Sequence, residues 1–570
     1  MNSGFKRLKH DLLTDKEWER FRQIANSLTD NQLRFLCNAA NRPETAVQEN
    51  EELPHFTTKD ECEALYLACK HSLPSWLQPE VEQTWRKLSS SSEGRSLFDT
   101  HLRRLRGMLS VDWNDNKPIE INYQQAFDYL SSRHPGLEYA IEQTLEKVML
   151  VNRSRDTGPR PFAFIGPPGT GKSSLIEDFA IVLNRPCVSI AMASMVCPEA
   201  MVGTPSHFDN SAFGCIMDAC IHNRTTSLLL YIDEFDEAYR KIDHDSAKCG
   251  STLVDLFEKA TFADEFLGLT AHLNSPLIFV TINDPSVIPE KLLQRFFTIE
   301  ILPYRRTSKK RILTEAIWPK YQKTYGFEAT QLLNEAAEEI INRSRPEAGI
   351  RSVIMNVESL VARLARQSAI PDTITREMVK SILPLPYREQ GHADTVGKAK
   401  MLGVSASGCG LSTDVVVILE NDDRSAVNIM GLPQGSARES VHTALLVARR
   451  ATNNMGDARS ISIQVGSATP KDGPSAGVAI AAAIASAYLK KPLRADVALT
   501  GELWIDGHIS AVGGVYAKVL AAEEAHCTAL ILPEENLHEV PTDTSLQIIP
   551  VRTINQVYDF LDLNPILKEV

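Results

Sequence analysis

The stretch Gly166–Ser173 reads GPPGTGKS and follows directly on the short apolar run Phe162–Ile165, FAFI. It satisfies the pattern GxxxxGK[ST], and it sits between a predicted strand and a predicted helix, where that pattern has mechanical meaning. Glycines let the backbone turn its N–H groups toward phosphate oxygens at a helix N-terminus. Lys172 then supplies a point charge for β- and γ-phosphates, and the Ser173 hydroxyl suits Mg2+. The candidate nucleotide-binding set is therefore Gly166, Pro167, Pro168, Gly169, Thr170, Gly171, Lys172, Ser173 and Ser174.

Working outward, three more apolar runs read as strands: Cys187–Ile190, Leu228–Ile232 and Leu277–Ile282. Helical stretches separate them, which predicts a parallel sheet. The run LLLYIDE ends in two acids. Asp233 is placed to orient Mg2+ and Glu234 to polarise an attacking water. Upstream, the chain to about Ser89 reads as helical, with Trp18, Phe21, Ile24, Ala25 and Leu28 at helical spacing. A serine-rich break at Ser89–Glu93 precedes further helices at about Leu97–Leu109 and Leu137–Leu150. Beyond Pro303 the pattern is mostly helical to about Leu383. PLPYREQGHADTVG, from Pro384, reads as a linker. From about Lys398 onward, β-rich runs such as Val415–Leu419 and Ile461–Val465 mix with helices.

The length of 570 residues requires several domains. A net charge of -12 argues against bulk attraction to nucleic acid. The local cluster Arg103, Arg104 and Arg106 reads as a solvated helix face. Ten cysteines without a CxxC pair point to reduced thiols, not to zinc or a disulfide framework. The N-terminus lacks an apolar signal core, and the longest small-apolar run, Val478–Leu489, is too short to span a bilayer. A soluble, cytoplasmic protein without membrane partners is expected.

These features together resemble the AAA+ ATPases. The resemblance implies ATP and Mg2+ as cofactors and gives three further residues a role. Asn283, in FVTIN, matches the sensor of the γ-phosphate; Arg295, in EKLLQRF, matches the arginine that reaches a neighbouring subunit's nucleotide; Arg351, in PEAGIR, matches the second-sensor arginine of the helical lid. An arginine acting in trans implies a ring, typically a homohexamer.

The segment Thr469–Gly477 reads TPKDGPSAG and runs into an alanine-rich helix. Asp472 can cap that helix and Pro474 is tolerated in its first turn. Ser475 then lies where free N–H groups and the helix dipole can stabilise an oxyanion. GPSAG also satisfies the nucleophile-elbow pattern GxSxG, but Pro470, Lys471 and Asp472 stand where that elbow needs a strand. In GGVYAKVLAA, Val515, Ala521 and Ala522 lie beside Lys518 on a helix surface. A lysine base must be neutral near pH 7, about three units below its reference value, and burial can supply that shift. Left to local chemistry alone, Lys518 reads first as an exposed helix lysine, the usual state of lysines.

TPKDGPSAG, RADVALTGELWIDGHISAVGGVYAKVLAA and LILPEEN, in this order and spacing, resemble the Lon protease family, and the likeness runs from about Asn122 to Val570. The family's Ser–Lys dyad falls on Ser475 and Lys518. Thr500, in LTGE, matches a threonine that hydrogen-bonds the lysine, and Glu502 matches a nearby acid. The implied activity is an ATP-dependent serine endopeptidase that unfolds, translocates and degrades unfolded or tagged proteins inside a ring. A remodeller with a structural protease-like domain is the alternative, and a scaffold using ATP as a switch is a third reading.

The expected architecture is multidomain: a helical N-terminal region (1–121), an α/β AAA+ module made of a parallel-sheet part (122–303) and a helical lid (304–383), a linker (384–397) and an α+β Lon-type protease domain (398–570). Two departures stand out. The first hundred residues do not resemble the family's β-rich substrate-binding domain and long helical arm; only LRGMLSVDW, Leu105–Trp113, looks like the end of that arm. In GTPSHFDNSAFG the substrate-gripping aromatic falls on Phe208, followed by an acidic Asp209, with core packing of Phe208 as the competing reading.

Overall fold

The Glu17 amide donates to the Thr14 hydroxyl, and the Thr14 amide donates back to the Glu17 carboxylate, which starts the helix Asp15–Ala25. Thr58 and Glu61 do the same for Lys59–Cys69. Each pair satisfies two amide groups that a helix end leaves open. Phe21 and Ile24 face inward, as the helical spacing requires. Helices Asp30–Asn41, Gln78–Ser90 and Ser96–Ser110 complete the N-terminal region, followed by Tyr123–Arg133 and Glu138–Arg153.

The computed structural model describes residues 8–41, 56–91, 96–115, 119–153, 160–193, 199–208, 210–240, 246–345, 347–366, 371–384, 393–405, 408–420, 425–431, 435–466 and 473–563. Ser89 and Ser90 of the serine-rich break end the helix Gln78–Ser90, while its residues 92 and 93 and most of the expected linker lie outside the described residues. The chain forms two units. One comprises Met1–Ile165 with Gly171–Ile301, the other Gly166–Thr170 with Leu302–Val570. No helix among the described residues is long and apolar enough to cross a membrane.

In the first unit, five strands lie side by side in the order Cys187–Ala191, Leu229–Asp233, Leu277–Ile282, Phe162–Ile165 and Phe297–Glu300, all parallel. Leu277–Ile282 is buried at every position, as a central parallel strand covered on both faces must be. The strand Phe297–Glu300 and the hairpin Thr261–Asp264 with Leu269–His272 escape the sequence reading. Each is four residues long and carries polar residues, which leaves no continuous apolar run to see.

One apolar core runs from Phe21, Leu65 and Leu105 of the N-terminal helices through to Ile216, Leu230 and Phe262 of the sheet region. The arginine cluster takes part in this packing, which corrects the expectation of a solvated face. Arg104 is buried; its Nη2 donates to the Leu267 carbonyl and stands 3.3 Å from Glu80. Arg103 Nη1 donates to the Ser211 carbonyl at 3.0 Å. A guanidinium enters a packed interface when carbonyl and carboxylate oxygens meet its donors.

The second unit begins with helices Arg306–Ile312, Trp318–Tyr325, Asn334–Asn342, Arg351–Leu364 and Arg376–Ile382. A seven-stranded mixed sheet follows, in the order Val427–Met430, Ile461–Val465, Gly410–Leu419, Lys398–Val404, Val497–Leu499, Ala529–Pro533 and Gln547–Val551. Thr395–Val396, placed in the linker by sequence, pairs with Pro492–Leu493. The helix Gly477–Leu489 is buried from Gly477 through Ala487, which fits a helix apolar on all sides.

Candidate functional site

Two glycines shape the loop that opened the sequence reading. Gly169 and Gly171 have φ of 79° and 82°, conformations that side chains rarely adopt. The helix Lys172–Val182 starts immediately afterwards. Lys172 is buried, and its Nζ donates to Asn283 Oδ1 at 2.9 Å. The expected loop lysine and sensor asparagine are thus in contact. Ser173 Oγ accepts from the Tyr231 hydroxyl at 2.7 Å, and Ser174 Oγ donates to the Gly171 carbonyl at 3.0 Å.

Asp233 closes the strand Leu229–Asp233. Its Oδ1 accepts from Thr281 Oγ1 at 2.6 Å, and the same Thr281 oxygen accepts from the Glu234 amide at 2.9 Å. One threonine on the neighbouring strand therefore orients both acids. Glu234 has φ of 52°, an unusual value for a non-glycine residue and one that strained functional positions often show. Asp236 is buried and accepts from the Asn283 and Asp284 amides at 3.1 and 3.2 Å. Tyr231, Thr281 and Asp236 are absent from the sequence-derived set. The third acid in DEFD and the tyrosine interrupting LLLYID are the signals that mark two of them.

The donor set suits a phosphate with a hard divalent cation: a lysine at a helix N-terminus, a serine hydroxyl and a carboxylate. Among the described residues, no group of three or more His, Cys, Asp or Glu is arranged to hold a metal by itself. Such a cation would need phosphate oxygens to complete its shell.

Within the second unit, Thr170 Oγ1 donates to the Pro167 carbonyl at 2.8 Å, while the Thr170 carbonyl accepts from the Tyr304 hydroxyl at 2.7 Å. The Ile350 amide donates to the Gly169 carbonyl at 3.1 Å. Arg351 opens the helix Arg351–Leu364, and a β-carbon on Gly169 would lie 3.1 Å from its Cγ. The expected lid arginine therefore lies against the loop.

Arg295 is half exposed and forms an ion pair with Glu258 of the same chain. Phe208 is 55% exposed beside His207, with ring centroids 4.3 Å apart, so the core-packing reading is overturned. Asp209 lies outside the described residues.

Ser475 sits in the 3-10 turn Pro474–Ala476, just before the helix Gly477–Leu489 and not in its first turn. Pro470, Lys471 and the expected cap Asp472 lie outside the described residues. The Ser475 carbonyl accepts from the Gly501 amide at 3.0 Å and from Thr500 Oγ1 at 3.4 Å. Thr500 thus reaches the serine backbone, where a bond to the lysine was expected. Glu502 accepts from the Ser510 hydroxyl at 3.2 Å within a short hairpin.

Lys518 lies on the helix Val515–Glu524 and is 2% exposed, which overturns the exposed-lysine reading. Burial pushes its ammonium down to about 8, opposed by the Glu539 charge. Ser475 and Lys518 are not hydrogen-bonded to each other, but the serine turn and the lysine helix both pack on the strand Lys398–Val404. Asn536, which the sequence reading missed, is buried; it accepts from the Val512 amide at 2.9 Å and donates to the Val512 carbonyl at 3.0 Å. That double bond fixes the approach to the lysine helix.

Comparison with known proteins assigns the two regions. Residues 162–304 match the family of ATPases associated with various cellular activities, a family of nucleotide-binding domains. Residues 373–562 match the Lon protease (S16) C-terminal proteolytic domain. The chain is 28% identical to Lon protease of Dictyoglomus thermophilum over 84% of its own length and 62% of that protein's. It is also 28% identical to Lon protease 1 of Thermus thermophilus, covering 87% of this chain and 65% of the relative, and to Lon protease of Methanosarcina barkeri, covering 79% and 58%. The chain thus spans about three-fifths of the length of these relatives.

Proposed function

Because the chain belongs to the Lon protease family, we propose that it is an ATP-dependent serine endopeptidase that unfolds and threads protein substrates through a homohexameric ring. The observation that carries this reading is the buried Lys518, held at about 8. A buried lysine is costly to a fold, and a neutral amine at that position is what a Ser–Lys hydrolase requires.

In this reading Lys518 takes the Ser475 proton as the serine oxygen attacks the peptide carbonyl. The lysine returns that proton to the leaving amine, and an acyl-enzyme remains. Water, deprotonated by the same lysine, then attacks the ester and releases Ser475. With an ammonium at about 8, on the order of a tenth of the lysines are neutral at pH 7. Thr500 and the Gly501 amide hold the Ser475 backbone in place.

ATP with Mg2+ supplies the phosphoryl bond whose hydrolysis drives threading. Gly166–Ser174 would hold the phosphates, Ser173 and Asp233 the cation, and Glu234 would take a proton from the attacking water. Asn283 and Arg351 would sense the nucleotide, Arg295 would reach a neighbouring subunit's site, and Phe208 would grip the substrate chain. The remodeller alternative is disfavoured because a structural domain has no use for a buried, proton-shifted lysine.

The test is Ser475→Ala in the full chain. Casein cleavage should vanish while ATP hydrolysis continues, and a fluorophosphonate should label only the wild-type serine. Full peptidase activity in the variant would sink the assignment.

A further inference from the structure

The loop that carries Phe208 is closed at its base by the Thr204 amide donating to the Ala212 carbonyl at 2.9 Å. Within it, the Ser211 amide donates to the Phe208 carbonyl at 3.2 Å, so the aromatic and the outgoing limb are tied to each other. Ser211 is buried, and its carbonyl is the one that accepts from Arg103 Nη1 at 3.0 Å. The Arg103 guanidinium also stands over the ring of Phe266, 4.9 Å from its centroid. Phe266 in turn meets Phe213 edge-on at 4.6 Å. On the same helix as Arg103, a β-carbon at Gly107 would lie 2.6 Å from Phe213 Cζ, so the glycine is what lets the helix approach.

Next to Arg103, Arg104 reaches from Glu80 of the N-terminal region to the Leu267 carbonyl in the turn of the hairpin Thr261–His272. Two consecutive arginines thus hold two separate loops of the motor. The guanidinium suits the first of these tasks. Its planar fork can donate to a carbonyl while its face stacks on an aromatic ring, which an ammonium cannot do at once.

We infer that Arg103 is a positioning residue for the Phe208 loop, and that the N-terminal helical region sets the reach of that loop through the helix Ser96–Ser110. This rests on the reading of Phe208 as the residue that grips the substrate. It assigns the N-terminal helical region a role inside the motor, as a brace for its substrate-facing loop.

The test compares Arg103→Ala, Arg103→Lys and Phe208→Ala in the full chain. Cleavage of unfolded casein, cleavage of a short fluorogenic peptide, and hydrogen exchange over 204–212 are measured for each. Displacing a gripping group by about an ångström costs on the order of tenfold to a hundredfold. Arg103→Ala should lower kcat for casein by about that factor, leave peptide cleavage and basal ATP hydrolysis at the wild-type level, and speed exchange at Thr204 and Ser211. Arg103→Lys, which keeps the charge but loses the stack, should fall between, and it stands in if the alanine variant does not fold. Wild-type casein cleavage in Arg103→Ala, alongside a defective Phe208→Ala, overturns the inference. A Phe208→Ala protein that degrades casein normally instead removes the gripping role itself. In that case the exchange rates still decide whether Arg103 fixes the loop, and unchanged exchange overturns the inference.

Discussion

Tyr304 donates its hydroxyl to the Thr170 carbonyl across 2.7 Å, and the very next residue, Arg305, donates to the hydroxyl of Tyr516 at 3.1 Å and pairs with Asp543. Tyr516 lies two residues before Lys518 on the same helix. A single peptide unit therefore joins the phosphate loop to the helix of the proposed base. Lys309 adds a second tie to that helix, 3.3 Å from Glu524. Tyr304→Phe removes one hydroxyl and about 1 kcal/mol of interaction. The ratio of peptide cleavage with and without a non-hydrolysable ATP analogue should move toward unity. An unchanged ratio would show that the link carries no signal.

The lysine makes the pH dependence specific. Its ammonium is pushed down by burial to about 8, so peptide cleavage should rise with pH and level off above that value. Glu539 is the charge that resists the shift. Glu539→Gln should therefore move the midpoint of the pH–rate profile to lower pH, and a shift toward higher pH would contradict the assignment. The stability consequence has the same origin. The folded-state value lies below the unfolded one, so the fold carries the full penalty, on the order of 3 kcal/mol, below about pH 8 and loses it as pH rises toward 10.5. Lys518→Met should accordingly unfold at higher denaturant than wild type at pH 7 while cleaving nothing.

Arg295 tests the ring. If it completes a neighbour's site, Arg295→Ala should lower ATP turnover by about a thousandfold while nucleotide affinity changes little. Mixing Arg295→Ala subunits with Glu234→Gln subunits should restore part of the ATPase activity, because some sites then receive both native residues. No recovery on mixing would place the arginine in its own subunit's chemistry.

Gly349 offers a steric test. A β-carbon there would collide with the backbone of Gly169, whose carbonyl accepts from the neighbouring Ile350 amide. Gly349→Ala should weaken ATP binding about tenfold or more and lower stability by about 1–3 kcal/mol, since backbone cannot yield as a flexible side chain can. Calorimetric titration and a thermal melt measure the two effects separately.

The parts of this molecule legible in sequence are those whose chemistry is local. GPPGTGKS carries its own geometry, and the strand Phe162–Ile165 has the bounds its apolar run suggests. Ser475 was readable as a residue at a helix start, although its turn precedes the helix. Lys518 was not readable without family likeness, because its burial depends on the sheet beneath it, built from distant segments. Arg104 was misread for a similar reason: the carbonyl it serves is 163 residues away in the chain. Tyr304 gave no signal at all, and Asn536 only its place at the end of LILPEEN, since each acts by bonding to a backbone atom of a distant segment.

The shared core of the N-terminal helices and the parallel sheet has a consequence for protein engineering. Regions that recruit substrates on flexible tethers can be exchanged between enzymes at the linker. Here a cut between Ser110 and the first strand would strip Arg103 and Arg104 from their carbonyl partners and lay Phe213 and Phe266 open to water. A working chimera would have to carry the helix Ser96–Ser110 with the sheet, so the transplantable border of this region lies well upstream of its first strand.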